Sequence, residues 1–190
     1  MRKLVSLMHV SLDGFAAGPN DELNWIMYNP DVEKNAHDLI YGMDATMYGR
    51  VTYEGMKSYW PIAAELPETS PAEVAYAHWV NGVPKYVISN SLESSDWAGT
   101  VFVRGDLAAE VNAIKQQPGK AIALLGSPTT VRALAALDLI DEYHVNINPV
   151  ILGVGKPALA GTDHPPQLKL VESTTLKGGV IHAVYAPIRR

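Results

Sequence analysis

Strand-like and helix-like segments alternate along most of this chain, and that alternation restricts its possible folds more than any other feature. Short apolar runs predict strands at residues 3–11, 45–48, 85–89, 100–103, 121–125, 142–151, 168–175 and 180–186. Apolar residues at helical spacing predict helices at residues 32–41, 52–57, 72–80, 107–116 and 129–137. Strands separated by helices are usually parallel, so the pattern predicts a mixed, mostly parallel sheet with helices on both faces. Lys177, Gly178 and Gly179 join the last two strands, which predicts an antiparallel C-terminal hairpin.

The length and composition are those of one domain. A chain of 190 residues, of which 47% are hydrophobic, can bury a full core, so we expect a single three-layer α/β domain over residues 1–190. The formal net charge of −5 disfavours a protein that coats nucleic acid. No apolar run reaches the roughly 18 residues of a membrane span, and we expect a cytoplasmic protein without a membrane partner. Cysteine is absent and the six histidines are dispersed, which disfavours a metal site.

The segment AIALLGSPTTVRALAAL, residues 121–137, is typical of a strand, a glycine turn and a helix. Gly126 allows a tight turn, the Ser127 hydroxyl can cap the helix, and Pro128 suits the first helical position. A helix that begins this way leaves backbone N–H groups unpaired at the positive end of its dipole, where a phosphate can bind without a cationic side chain. An ordinary strand-to-helix turn is the alternative interpretation.

A similar phosphate-binding combination follows the second predicted strand. Gly49 permits a turn, Arg50 supplies a planar cation, and Thr52 can cap the following helix. The carboxyl ends of parallel strands are where open sheets bind ligands, so this position also suits a phosphate or pyrophosphate. Alternatively, Arg50 is a surface charge that pairs with Glu54 on the same helix.

Two other strand ends carry polar residues. Ser89 and Asn90 offer hydroxyl and amide groups after the third predicted strand. Asp13, followed by Gly14, comes after the first strand and is either a turn former or a catalytic carboxylate. His9 lies near that loop and is either a ligand contact or a hydrogen-bonded core residue.

Sequence motifs of several enzyme classes are absent. The chain has no Gly-x-Ser-x-Gly elbow, no Walker-type lysine motif and no Gly-x-Gly-x-x-Gly. Several strand ends that could hold phosphate, with few strong acids or bases, are typical of a protein whose cofactor carries the chemistry.

Five segments, taken in order, resemble the dihydrofolate-reductase-like superfamily: VSLDGFAAG with its following tryptophan, ATMYGRVTYEGM, KYVISNSL, ALLGSPTTVRAL and LIDEYHVNINPVILGVGKPAL. The resemblance spans nearly the whole chain and is closest to the branch that includes the reductase domain of bacterial riboflavin biosynthesis. It implies a dihydrofolate-reductase-like fold, NADPH as cofactor, a small-molecule substrate and a homodimer. In folate reductases an acidic residue soon after the matching tryptophan binds the pterin; here Asp31 follows Trp25 at a distance where it could simply begin a helix.

The same resemblance implies a role for each segment. The loop of Asp13 to Ala17 covers the nicotinamide, with main-chain groups of Ala16 and Ala17 in contact. The remaining implied cofactor contacts are Gly49, Arg50, Val51 and Thr52 along the phosphates, with Arg50 near the adenosine end, Ser89 and Asn90 near the adenosine 2′-phosphate, and Gly126, Ser127, Pro128 and Thr129 around the pyrophosphate. The predicted substrate contacts are His9, Trp25 and Tyr53, and the proton comes from Asp13, Tyr53 or water.

The sequence therefore predicts an NADPH-dependent reductase of a small heterocycle, similar to 5-amino-6-(5-phosphoribosylamino)uracil reductase. The alternative is a non-catalytic dimeric protein that uses the same cleft to bind a small ligand or nucleotide. A deaminase is disfavoured because the chain lacks the His/Cys zinc ligands that such enzymes need.

Overall fold

An eight-stranded mixed sheet lies at the centre of the molecule, whose computed structural model describes residues 1–161 and 166–189. The strands are β1 (Leu4–Ser11), β2 (Phe15–Ala17), β3 (Ala45–Gly49), β4 (Lys85–Ile88), β5 (Thr100–Val103), β6 (Ile122–Leu125), β7 (Glu142–Asn148), β8 (Lys156–Pro157), β9 (Leu168–Thr175) and β10 (Ile181–Pro187). The helices are α1 (Pro30–Ile40), α2 (Arg50–Lys57), α3 (Trp60–Ala63), α4 (Pro71–Gly82), α5 (Leu107–Gln116) and α6 (Pro128–Ala136).

The strand order of the sheet is β5-β4-β3-β6-β1-β7-β10-β9. Each neighbouring pair from β5 to β7 is parallel, whereas β10 is antiparallel to both β7 and β9. Strands β2 and β8 form a separate antiparallel pair. The carboxyl ends of β1, β3, β4, β5, β6 and β7 therefore share one edge of the sheet.

Side chains on opposite faces of the sheet pack against different helices. Leu4 and Met8 of β1 belong to a core cluster that includes Val111 of α5 and Leu134 of α6. Leu7 of β1, which points the other way, packs on a second cluster that contains Ile40, Tyr53 and Val80 of α1, α2 and α4. Helices thus cover both faces, as a parallel sheet with apolar strands requires.

The predicted architecture is confirmed, and the differences lie at element ends. Helix α1 begins before the predicted Val32 because the Asn29 side chain accepts hydrogen bonds from the backbone N–H groups of Asp31 and Val32. Strand β7 ends at Asn148 instead of residue 151. The short elements β2, β8 and α3 were not predicted, since two to four residues are too few to show a period.

Candidate functional site

Two glycine turns meet at the carboxyl edge of the sheet, where β3 runs into α2 and β6 runs into α6. A Cβ built on Gly49 would lie 2.2 Å from Thr130 Oγ1, and a Cβ built on Gly126 would lie 2.5 Å from Thr52 Cγ2. Gly126 has φ +83°, a conformation that favours glycine. We call residues 49–52 and 126–130 the paired glycine turns. Their contact brings together two segments that the sequence assigned to one ligand.

Neither helix of the paired glycine turns has its N-terminus capped by a side chain. Pro128 is the first residue of α6, as predicted, and Ser127 occupies the N-cap position. The predicted capping bond from the Ser127 hydroxyl is not made; instead the Ser127 N–H donates to Thr52 Oγ1 at 3.1 Å. Thr52 likewise does not cap α2, because that helix begins at Arg50. The early N–H groups of both helices stay available to an anion.

Charged and apolar side chains flank these turns on the solvent side. Arg50 forms an ion pair with Glu54 at 2.7 Å, the surface pairing that the sequence left open, and both side chains are about half exposed. Val51 is largely exposed although it is apolar. Thr129 is also exposed. An exposed ion pair of this kind contributes little to stability, so Arg50 can exchange its partner at low cost.

The end of β4 is a tight polar turn. Ser89 is buried, and its Oγ accepts hydrogen bonds from the N–H groups of Ser91 and Leu92 at 3.3 and 3.1 Å, while Asn90 is exposed. Arg104, just after β5, donates to the Leu92 carbonyl and stacks over Phe102 at 5.0 Å. Arg104 thus adds a cation beside the Ser89 turn that sequence reasoning missed.

The loop after β1 is fastened to the loop after β7 through Asp13. Its carboxylate accepts from the Ser11 hydroxyl at 2.6 Å and from the N–H groups of Leu152 and Gly153 at 3.1 and 2.8 Å. The Ser11 hydrogen bond, supported by those backbone bonds, lowers the pKa of Asp13. Proton donation needs the protonated acid, so these contacts favour a structural role for Asp13 over the proton donor considered from the sequence.

The nicotinamide loop proposed from the resemblance contains a short strand. Ala16 is half-buried and Ala17 is buried, in strand β2. Strand β2 pairs with β8, and a Cβ at Gly155 would lie 2.4 Å from the Ala17 carbonyl oxygen. The loop is therefore held close to the segment that follows β7 instead of extending into solvent.

A cavity of about 690 Å³ lies between β1, α1 and α4. We call it the α1–α4 pocket. Its lining residues are His9, Tyr28, Asn29, Pro30, Val32, Glu33, Ala36, His37, Ile40, Trp60, Ser70, Glu73 and Tyr76. His9 belongs to β1, and β1 is the neighbour of β6, the strand that leads into Gly126. The pocket thus adjoins the part of the sheet that carries the paired glycine turns.

The pocket combines aromatic walls with acidic side chains. Tyr28, Trp60 and Tyr76 supply the aromatic surface, and Glu33 and Glu73 supply two carboxylates. Glu73 accepts from the N–H and hydroxyl of Ser70 at 3.0 and 2.7 Å, whereas Glu33 has no side-chain partner within residues 1–161 and 166–189. The lining residues all belong to the described part of the chain, and none of them is a lysine or arginine. The pocket therefore disfavours an anion.

His9 is uncharged near neutral pH. Burial, together with the nearby His182, lowers the pKa of His9 from 6.5 to about 4. The ring lies 5.7 Å from that of Tyr28, measured between centroids. A neutral imidazole can donate from one ring nitrogen and accept at the other, so His9 can form a directional hydrogen bond without adding charge.

Two predicted substrate contacts lie outside the pocket lining. Tyr53 is fully buried in the core on the α2 side, and its hydroxyl contacts those of Ser95 and Thr100, the latter at 2.8 Å. This burial corrects the prediction, because the Tyr53 hydroxyl has no access to a ligand or proton. Trp25 is half-buried and donates from Nε1 to the Glu22 carbonyl at 2.9 Å.

The pocket residues missed from the sequence had a detectable signal. Glu33, Ala36, His37 and Ile40 recur at helical spacing and form one face of α1. Asp31, the acidic residue considered from the sequence, instead accepts from the Lys177 N–H at 3.0 Å. Trp60 and Glu73 could be found only from the fold, since α3 and α4 reach the pocket across a loop.

No helix in residues 1–161 and 166–189 has the length and apolarity of a membrane span. In the same ranges, histidine and acidic side chains form no group of three or more that could hold a metal ion.

These features define a protein with a dihydrofolate-reductase-like fold. The chain belongs to the family described as RibD C-terminal domain, which matches residues 2–182. It is 33% identical to the uncharacterized protein YyaP of Bacillus subtilis, over 97% of this chain and 94% of that protein.

Solved structures are similar in fold. A pyrimidine reductase-like protein from Corynebacterium diphtheriae superposes with a TM-score of 0.72 at 16% identity, covering 100% of this chain and 93% of the other. Dihydrofolate reductase from Enterococcus faecalis, in complex with NADP(H), superposes with a TM-score of 0.64 at 12% identity, covering 98% of this chain and 97% of the other. The predicted branch is confirmed by the family match, and the predicted dihydrofolate-reductase-like fold by these structures.

Proposed function

We propose that this protein is an NADPH-dependent reductase of a small planar heterocycle that carries no phosphate. The observation that supports this most strongly is the contact between the paired glycine turns next to the α1–α4 pocket. That arrangement would set an anion site beside an aromatic pocket, at neighbouring strands of one sheet edge.

The residues of the turns suit the diphosphate of a dinucleotide. Uncapped N–H groups of α2 and α6 would hold the pyrophosphate, and a side chain at Gly49 or Gly126 would fill the space beside the opposite turn. Val51, Pro128 and Thr129 would lie along the same phosphates. Arg50 would reach toward the adenosine end, and Ser89 and Asn90, with Arg104 beside them, would face the same end. The 2′-phosphate of NADPH is the anion that such cations prefer.

Positioning carries most of the proposed catalysis. NADPH supplies a hydride when bound. Ala16 and Ala17 in β2 would cover the nicotinamide from the side of the β7–β8 loop, and the aromatic walls of the pocket would orient the heterocycle and exclude water. Asp13 would keep the covering loop in place through its bonds to Leu152 and Gly153.

The charge of the pocket selects the substrate class. The described lining residues include two carboxylates and no lysine or arginine, which disfavours a substrate with a phosphoribosyl group. We therefore infer that the substrate is a neutral or cationic ring with N–H donors. Glu33 is the acceptor available to such donors. This class differs from the 5-amino-6-(5-phosphoribosylamino)uracil that the resemblance suggested, because that substrate carries a phosphate on its ribose.

Isothermal titration with NADPH and NADH tests the cofactor. We expect NADPH to bind more tightly than about 1 mM, and Arg50→Ala to weaken NADPH by about 1.5–3 kcal/mol and NADH by less. Lys34→Ala, which removes another exposed cation of an i,i+4 ion pair, is the matched control. No binding of either dinucleotide at 1 mM contradicts the reductase.

Benzamidine, benzamide and benzoate test the pocket, since they are near-isosteric rings with charges of +1, 0 and −1. We expect the first two, but not benzoate, to shift NMR signals of the α1–α4 pocket, and Glu33→Gln to weaken benzamidine alone. Asp38→Asn on the same helix, whose carboxylate pairs with Lys34 at the surface, should change nothing. Preferential benzoate binding contradicts the substrate class.

Ring binding without dinucleotide binding would favour a ligand-binding protein on this fold. The homodimer and the cytoplasmic location stay predictions.

A further inference from the structure

The α1–α4 pocket is larger than a single ring requires. Its volume of about 690 Å³ is in the range of pockets that hold whole drug-sized ligands. His9 of β1 lines one end, and Tyr76 of α4, which packs in one core cluster with Tyr48 of β3, lines the other. Strand β6 lies between β1 and β3 in the sheet, so the two ends are about 10 Å apart. The pocket therefore has room for a second group beside the ring.

Aromatic side chains line the second end, formed by Trp60, Ser70, Glu73 and Tyr76, which we call the α4 end of the pocket. The rings of Trp60 and Tyr76 are 4.5 Å apart between centroids and inclined at 68°, so they make a corner. The ring of His37 on α1 lies nearly parallel to that of Tyr76, at 6.2 Å and 15°. The face of an aromatic ring carries negative potential and attracts a cation, most strongly at tryptophan.

A fixed carboxylate lies at the same end. Glu73 Oε2 accepts from the N–H and the hydroxyl of Ser70, and these hydrogen bonds lower the pKa of Glu73, so it stays ionised near neutral pH. Within the described part of the chain, Glu73 Oε1 accepts only from the Tyr59 hydroxyl, at 3.4 Å. Glu33 on α1 adds a second carboxylate, and no lysine or arginine among the described lining residues offsets the two charges. Carboxylates beside aromatic faces favour a positively charged group over a neutral one.

We propose that the α4 end of the pocket binds an organic ammonium group that the substrate carries on a side arm. The proposal rests on the proposed function, in which the same pocket holds the planar ring. The ring lies at the His9 end, because β1 is the neighbour of β6, the strand that leads into Gly126 of the paired glycine turns. The ammonium group then lies away from the reacting atoms, and its binding energy orients the ring and selects the substrate. A heterocycle with a basic side arm is the substrate class that fits both ends.

A pair of benzamides of the same shape tests the charge. N-[2-(trimethylammonio)ethyl]benzamide has a quaternary nitrogen where N-(3,3-dimethylbutyl)benzamide has a carbon. In titrations without dinucleotide we expect the cation to bind more tightly than its neutral isostere by about tenfold or more. Nuclear Overhauser contacts should place its methyl protons beside the rings of Trp60 and Tyr76. Equal affinities, or methyl contacts with His9 and Tyr28 instead, overturn the proposal.

Two substitutions test whether the α4 end causes the preference for the cation. Glu73→Gln removes a charge but keeps a side chain that can complete the capping box with Ser70, and Trp60→Leu removes an aromatic face. Each should lower the ratio of the two affinities to about threefold or less. Glu68→Gln, the same exchange at an exposed residue outside the pocket lining, should leave the ratio unchanged. An unchanged ratio in Glu73→Gln or in Trp60→Leu overturns the proposal.

These titrations are independent of the reductase assignment. Both benzamides are measured without dinucleotide, so failure of the reductase assignment appears in the NADPH titration and not in the ratio of the two affinities. The wild-type ratio and the Overhauser contacts decide the question even if a variant does not fold.

Discussion

Alanine substitutions at Gly49 and Gly126 should separate a purely steric cost from a backbone cost. At Gly126 an alanine meets both: φ of +83° costs an L-residue about 1–2 kcal/mol, and a Cβ at 2.5 Å from Thr52 Cγ2 adds about 1–3 kcal/mol of overpacking. At Gly49, φ of −79° is ordinary, so only the contact with Thr130 Oγ1 at 2.2 Å opposes alanine. We expect losses in unfolding free energy of about 2–5 kcal/mol for Gly126→Ala and about 1–3 kcal/mol for Gly49→Ala.

The second substitution in each pair tells the two costs apart. Thr130→Ala removes the obstructing oxygen and leaves the nearest remaining Thr130 atom at 3.4 Å, so it should rescue most of the loss in Gly49→Ala. Thr52→Ala should rescue Gly126→Ala only in part, because the positive φ is unchanged. Urea unfolding measures each step as a change in midpoint at constant slope. If Gly126→Ala unfolds within about 0.5 kcal/mol of wild type, or Thr52→Ala restores it fully, the left-handed turn is not the constraint inferred here.

Three further perturbations test other parts of the molecule. Ser6 buries a hydroxyl without a partner in the described residues, so Ser6→Ala should raise the unfolding free energy by about 1 kcal/mol in urea titration, and a loss would contradict this. Burial raises the pKa of Asp141, but hydrogen bonds from the buried Lys115 and from the Leu4 N–H outweigh that effect, so the pKa is lowered. Asp141→Asn leaves the Lys115 charge without its partner and should lower the unfolding free energy by about 3–5 kcal/mol. The double variant Asp141→Asn with Lys115→Met should recover part of that loss. The pKa of His9 is about 4 in the folded protein and 6.5 in the unfolded chain, so its contribution to stability is complete above pH 6.5 and is lost as the pH falls through 4. His9→Gln should therefore reduce the change in urea midpoint between pH 7.5 and pH 4.5. The same change of midpoint with pH in wild type and variant would refute the lowered pKa.

Local patterns in the chain were enough to predict the sheet and the order of its main elements. Each of these patterns involves only residues that are close in sequence, so it could be inferred without knowing the fold. They are the apolar runs, the helical periodicity, Pro128 at a helix start and the Lys177-Gly178-Gly179 hairpin. The same local logic failed at capping. Ser127 is the N-cap residue of α6, but its hydroxyl makes no capping bond. The backbone N–H of Ser127 bonds to Thr52, which lies 75 residues away and which no local pattern pairs with it.

The sequence by itself determined the α/β class, the parallel sheet and the glycine turns that could hold phosphate, because backbone geometry at a strand end depends on a few neighbouring residues. Only the tertiary structure decided that the turns at Gly49 and Gly126 contact each other, that Glu33 faces a pocket while Asp31 fastens a loop, and that Tyr53 is buried. It also decided that His9, Asn146 and His182 are neighbours, which needs the register of three strands distant in sequence. Those facts depend on which strands are neighbours, and strand pairing is a property of the whole folded chain.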